Sequence, residues 1–238
     1  MALWSIFSKD NQATLKKFAQ RVANKRSQSP DRWEAIKALG AMKTPEAIDA
    51  LLIRFTYTTD PSITDQEEKD ATFEIIKDAS EMAVEPVKRF LRRAESLGWP
   101  LKLLEHLLSE EDVLGELLAL VQSMDTEYER DPQRKIQVLA VLEERHDPRI
   151  GPVVERFLDD VNETTRFYTV GVLVSQPNAE SYKERLVELL AKEESVRVRA
   201  RILDTFAQEQ WSLGTLAKGI SLPSNYQLDN HGVPRKKR

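Results

Sequence analysis

Apolar residues recur at spacings of three and four along nearly the whole chain, the pattern of helices that each bury one stripe. The pattern breaks at regular intervals. First helices are predicted near Pro30 (DRWEAIKALGAM), Asp65 (DQEEKDATFEIIKDA), Pro100 (LKLLEHLL), Asp131 (DPQRKIQVLAVLEER), Asn162 (NETTRFYTVGVLV) and Glu194 (ESVRVRARILDTFA), with starts 31 to 35 residues apart. Each is followed by a second apolar-periodic segment: PEAIDALLIRFTY, MAVEPVKRFLRRAES, EDVLGELLALVQSM, PRIGPVVERFLDDV, AESYKERLVELLAK and SLGTLAKGI. One phrase nearly repeats itself, PVKRFL at 86–91 and PVVERFL at 152–158, two periods apart. Its valines, Phe90, Leu91, Phe157 and Leu158 are expected in the core, and Arg89 and Arg156 at the surface or beside a carboxylate.

The punctuation agrees with this division. Pro45 and Pro148 head second helices, where a missing amide is harmless. Ser29-Pro30 and Asp131-Pro132 open first helices with a capping residue at hand, and Gly98 reads as a helix stop. A single pair of helices of about 12 residues cannot cover its own apolar face, so several must stack. The expected fold is all-α, a right-handed α-solenoid of about six helix pairs. Residues 1–29 supply an N-terminal capping helix with the stripe Leu15, Phe18 and Val22; residues 30–221 form the repeats; residues 222–238 are a non-helical tail. In that tail Tyr226 and Leu228 alternate with polar residues, and Asp229-Asn230-His231-Gly232 signals a turn. A short hairpin or extended strip over the last pair is expected, followed by a disordered basic run.

The LDDVNETTRFYTVGVL junction (158–173) and the EESVRVRARILDTF segment (193–206) resemble HEAT-like repeats of the phycobilin-lyase type. The resemblance implies a ladder in which an acid of one repeat meets an arginine early in the next. Asp160 with Arg166, and Glu194 with Arg197 or Arg199, stand where its rungs would be. Repeats two and three lack the Val-Arg signature. The resemblance also implies that second helices line a concave face, and it covers residues 30–220. Tetratricopeptide repeats compete at this period, but their Trp-Leu-Gly-Tyr spacing is missing.

Composition narrows the chemistry. The chain has no cysteine, which removes disulfides and thiolate chemistry, and no apolar run reaches the roughly 18 residues of a membrane span. A cytoplasmic protein is expected. His106, His146 and His231 are isolated, so no metal site is expected; no phosphate-binding glycine loop occurs, and no cofactor is expected. The acid pairs Glu110-Glu111-Asp112, Glu143-Glu144, Asp159-Asp160 and Glu193-Glu194 fall near helix ends. There they suit the helix dipole or a solvated surface better than catalysis.

Charge is uneven. The net charge of −4 divides into +5 over residues 1–30, +3 over 222–238 and −12 between them. Within that acidic body the second helix of repeat two carries Lys88, Arg89, Arg92 and Arg93, with Arg149 and Arg156 at the corresponding element of repeat four. These six residues are the expected binding contacts of a non-enzymatic interaction scaffold, whose partner is a protein or peptide with an acidic segment. A groove for nucleic acid, as in HEAT-like DNA glycosylases with Trp33, Trp99 or Trp211 as aromatics, is the alternative. The acidic body argues against it. A lyase or chaperone role toward a pigment protein is a third reading. Trp4, Ile6 and Phe7 suit an end cap or a membrane-surface anchor, and the final PRKKR matches an import or polyanion signal as well as a plain tail.

Overall fold

The computed structural model describes residues 2–214 and 219–237, with side chains from residue 11 onward. The expectations on Trp4, Ile6, Phe7 and Arg238, and part of the predicted helix SLGTLAKGI, lie outside the described residues. Among those described, twelve α-helices and one two-stranded sheet occur, and the chain is all-α in class.

The helices are α1 (Ala2–Ala23), α2 (Ser29–Met42), α3 (Pro45–Leu52), α4 (Ser62–Asp78), α5 (Glu81–Leu91), α6 (Gly98–Leu107), α7 (Glu110–Gln122), α8 (Gln133–Glu143), α9 (Ile150–Val154), α10 (Glu163–Ser175), α11 (Lys183–Lys192) and α12 (Val196–Gln208). Helices α2, α4, α6, α8, α10 and α12 are the first helices of the pairs predicted from the apolar period. Contacts divide the chain into two compact units, Met1–Glu116 and Leu117–Arg238.

Local chemistry sets the helix starts. Thr44 accepts from Ala47 N at 3.2 Å and Pro45 follows at the first helical position of α3. Asn162 accepts from the amides of Thr164 and Thr165 to open α10, and Ser195 caps α12. Asp131 accepts from Gln133 N at 3.0 Å. Ser29 does not cap. It is the first residue of α2, and its hydroxyl is drawn to Glu68 instead. Gly98 also departs from expectation: α5 has already ended at Leu91, and Gly98 begins α6 with Pro100 two residues on, where an amide would have no helical acceptor.

The first unit packs layer on layer. Helix α2 lies against α4 and α4 against α6, while α3 lies against α5. Helix α1 covers the open side of α2 and α3, with Val22 buried and Leu15 and Phe18 half-buried. The second unit repeats the scheme: α8 against α10, α10 against α12, α11 against α12. Core residues come from matching places in each layer, for example Ile36, Leu39, Phe73 and Ile76 in the first unit and Val138, Leu142, Val170, Leu173, Ile202 and Phe206 in the second. In the repeated phrase, Val87, Phe90 and Leu91 are buried, as are Val154, Phe157 and Leu158. The extra residue of the later copy is absorbed by a tightening: α9 gives way to a 3₁₀ turn at Glu155–Asp159, whereas PVKRFL stays α-helical.

Two glycines mark how closely successive layers approach. A Cβ on Gly151 of α9 would stand 2.9 Å from Cε2 of the Tyr182 ring, and nearer its hydroxyl. A Cβ on Gly171 of α10 would meet Arg201, whose guanidinium crosses that helix to pair with Glu143 of α8. A bare backbone is what lets α8 and α12 be tied across α10.

Strands β1 (Tyr226–Leu228) and β2 (Pro234–Lys236) form an antiparallel hairpin, and β2 packs on α12. The Tyr226 hydroxyl donates to Asp204 Oδ1 at 2.6 Å, and Lys236 pairs with Asp204 at 2.9 Å. The basic run was expected to be disordered; residues 234–236 are strand, because Asp204 and Asp229 answer its charges.

Candidate functional site

The basic cluster of repeat two lies on α5 and the turn after it. Lys88 reaches Glu116 at 3.0 Å and Glu85 at 3.9 Å. Arg92 reaches the other oxygen of Glu116 at 3.2 Å, and Arg89 pairs with Asp49 of α3 at 2.7 Å. Glu85 on the same helix is thus joined by Asp49 of α3 and Glu116 of α7 as partners of the cluster. Arg89 and Arg92 remain largely exposed, with side-chain exposures of 48% and 60%. Exposed pairs of this kind contribute about 0–1 kcal/mol each, so they can exchange partners at little cost. The surface carries both signs.

Arg149 and Arg156 belong to the second unit. Arg149 closes on Asp147 two residues away, at 2.8 Å. Arg156 donates to the backbone oxygens of Val121 and Met124, closing the end of α7, and stacks on the Phe157 ring at 4.7 Å.

Beside the α5 cluster lies a cleft of about 470 Å³ lined by Lys25, Ile53, Phe55, Thr56, Phe90, Arg93, Ala94, Glu95 and Ser96. Phe55 is held from behind by Trp99, stacked at 4.8 Å and 17°. Lys25 stands over the Tyr57 ring at 5.7 Å. Sequence reasoning named Arg93 but missed the cleft, because its walls come from three segments far apart in the chain.

Sequence reasoning also missed the interior of the first unit. Glu68, with no exposure, accepts from Arg32 at 2.8 and 3.0 Å, from Arg54 at 2.9 Å and from Ser29 at 2.8 Å. Arg54, equally buried, also reaches Asp65 at 2.7 Å, and Asp65 accepts from Lys69 at 2.7 Å and from Thr59 N at 2.9 Å. Burial pushes the Asp65 carboxyl up, but the hydrogen bonds from Lys69, Arg54 and Thr59 outweigh it and hold it at about 2. Glu68 is likewise raised by burial and lowered further by Arg32, Ser29 and Arg54, so it lies below the ordinary carboxylate range.

Arginine contacts recur in the second unit, but not as the expected rungs. Arg166 meets only the carbonyl of Asp160, at 2.8 Å, and forks onto Glu193 at 2.6 and 2.8 Å. Arg199 donates to the Glu193 carbonyl at 3.2 Å. The Asp160 carboxylate is taken by buried Lys135 at 2.8 Å. Arg32 in the first unit shares the geometry: it is the fourth residue of its helix, like Arg166 and Arg199, and donates back to the Ser27 carbonyl. Each arginine ties the start of its first helix back to the loop before it; Arg166 also reaches the loop before α12, and Arg32 reaches Glu68 inside α4.

The other expected candidates have packing partners. Trp99 lies on Phe55, Trp211 meets the Phe206 edge at 5.4 Å, and Trp33 lies beneath Lys37. His146 contacts the Ser175 carbonyl, and His106 meets the edge of Phe73. Among the described residues no group of three or more His, Asp or Glu is placed to hold a metal ion, and no helix is long and apolar enough to cross a membrane.

Paired helices, first helix on first helix, with an arginine tying each of three helix starts, have the arrangement of an all-α HEAT-like repeat fold. The family model of the PBS lyase HEAT-like repeat matches residues 31–53, which are α2 and α3. None of the curated proteins and none of the solved structures matches the chain.

Proposed function

We propose that this protein is a non-enzymatic interaction scaffold, its helix pairs stacked with a right-handed turn. A protein or peptide with an acidic segment docks on the second-helix face carried by α5. The observation that carries the proposal is the mixed charge of that face. Lys88, Arg89 and Arg92 stand among Asp49, Glu85 and Glu116 rather than in a continuous positive strip. Duplex nucleic acid is held by uninterrupted cation–phosphate contacts. A protein surface with its own charges of both signs fits alternating charges better, and such complementarity sets partner choice. HEAT-like repeats in general serve such interactions. Arg149, paired with Asp147, and Arg156, which donates to backbone oxygens, are proposed as further contacts in the second unit.

Replacing both Lys88 and Arg92 by glutamate sets two acids against Glu116. The double variant is expected to lose its bound partner in a pull-down read by mass spectrometry, with affinity down by about tenfold or more. A lower thermal melt is expected as well, because Glu116, 15% exposed, loses both its cations, so binding is compared at a temperature where both chains remain folded. Recovery of the same partner at the same yield contradicts the proposal.

A further inference from the structure

We infer that the cleft between the end of α5 and the turn after α3 is an anchor pocket for a peptide. It seats one bulky apolar side chain, leucine, methionine or phenylalanine in kind, flanked by carboxylates. The inference rests on the protein-binding reading above and gives that partner its chemistry. The floor is apolar and comes from separate elements: Ile53 and Phe55 in the turn after α3, Phe90 and Ala94 at the end of α5. Its volume of about 470 Å³ falls within the roughly 300–1,000 Å³ of specific ligand pockets. The Trp99 stack fixes Phe55 in place, so the floor is preformed.

The rim supplies the charge. Lys25 and Arg93 are both exposed, line the cleft from opposite segments, and have no acidic partner among the described residues. Their neighbours differ: Lys88, Arg89 and Arg92 are already tied to Glu116 and Asp49. Two cations without acids over an apolar floor match a ligand with an apolar centre and acidic flanks. The ends of α5 and of the turn after α3 add their own carbonyl dipoles, which favour those cations but amount to less than their two full charges. Glu95 on the same rim disfavours a ligand of unbroken negative charge, such as a phosphate chain. An apolar anchor in a pocket is also the feature that concentrates binding energy in protein interfaces.

Fluorescence anisotropy with three labelled nonapeptides tests this on the full chain. The first has phenylalanine at its centre between aspartates and glutamates; the second has alanine at the centre; the third has asparagine and glutamine for the acids. The first peptide is expected to bind, and the other two to bind about tenfold more weakly or worse. Arg93→Glu and the cleft-filling Ser96→Trp, both at exposed positions, are expected to weaken the first peptide by about the same factor with unchanged thermal melts. Equal binding of the phenylalanine and alanine peptides, or undiminished binding by Ser96→Trp, overturns the pocket. If Lys88→Glu/Arg92→Glu then still abolishes binding, the acidic-segment face stands without it. No binding of any peptide also overturns the pocket. The broader reading falls separately, when the pulled-down partner survives the double charge reversal.

Discussion

Replacing Glu68 by alanine is expected to lower the unfolding free energy by about 3–5 kcal/mol, read as a fall in the urea midpoint. The size follows from what is left behind. Glu68 is fully buried and accepts from Arg32, Arg54 and Ser29. Without it, Arg32 and Arg54, exposed by 3% and 0%, face each other with only Asp65 to answer them. Buried cations without counter-charge are far costlier than the pair itself is stabilising. Glu68→Gln keeps the shape and part of the acceptor set and is expected to cost less. The same network predicts the pH dependence. Both carboxyls titrate lower when folded, so they bind fewer protons than in the unfolded chain. Their stabilisation is complete above the unfolded pKa of about 4 and is lost as pH falls below it, for Asp65 toward about 2. For Asp65, the move from 3.8 to about 2 corresponds to about 2 kcal/mol. Acid unfolding of the Glu68→Ala chain should therefore show a shallower loss over that interval. An acid limb unchanged from that of the full network would contradict the assignment.

The second large effect is expected from Asp160→Ala. Its carboxylate, 1% exposed, holds the ammonium of Lys135, 2% exposed, at 2.8 Å, and its other oxygen accepts from Asn162 N at 2.8 Å. Alanine leaves the ammonium with Glu129 at 3.3 Å, an acid that is 36% exposed. The loss is expected near the lower end of about 3–5 kcal/mol. It should be largely relieved in Asp160→Ala/Lys135→Met, where no buried charge remains. Urea denaturation of the two single variants and the double variant measures this coupling between one layer and the next. Additive losses would show that the rung does not join them.

Much of this could be read from the sequence. The apolar period located all six first helices, because stacking forces one stripe per helix to recur wherever a layer recurs. The resemblance was drawn from residues 158–173 and 193–206, whereas the family match falls on residues 31–53, in the first pair. Arg32, Arg166 and Arg199 share one helical position, which explains why both stretches carry the likeness. The expected rungs re-paired: the Asp160 carboxylate is taken by Lys135, 25 residues earlier, and Arg166 turns instead to Glu193, 27 residues later, neither of which local pattern can show. The buried network stayed hidden for a related reason. In DQEEKDATFEIIKD the charges read as a solvated face, yet Asp65, Glu68, Lys69, Thr72, Phe73 and Ile76 follow a single three-and-four stripe. Counting that stripe through its charged members would have placed them inside. The second-helix cluster was legible as a charge run, but not its partners: Asp49 and Glu116 are 40 and 24 residues away from the arginines they meet. The cleft is less legible still, since nothing local joins Lys25 to Arg93.

Hydrogen exchange on a chain ending at Lys192, set beside the full chain, asks directly whether a helix pair depends on its neighbour. Helices α10 and α11 pack against α12, and removing Val198, Ile202, Leu203 and Phe206 uncovers their apolar faces. The amides of α10 and α11 are expected to exchange about tenfold faster or more. Protection in α10 and α11 equal to that of the full chain would contradict the stacking of interdependent layers.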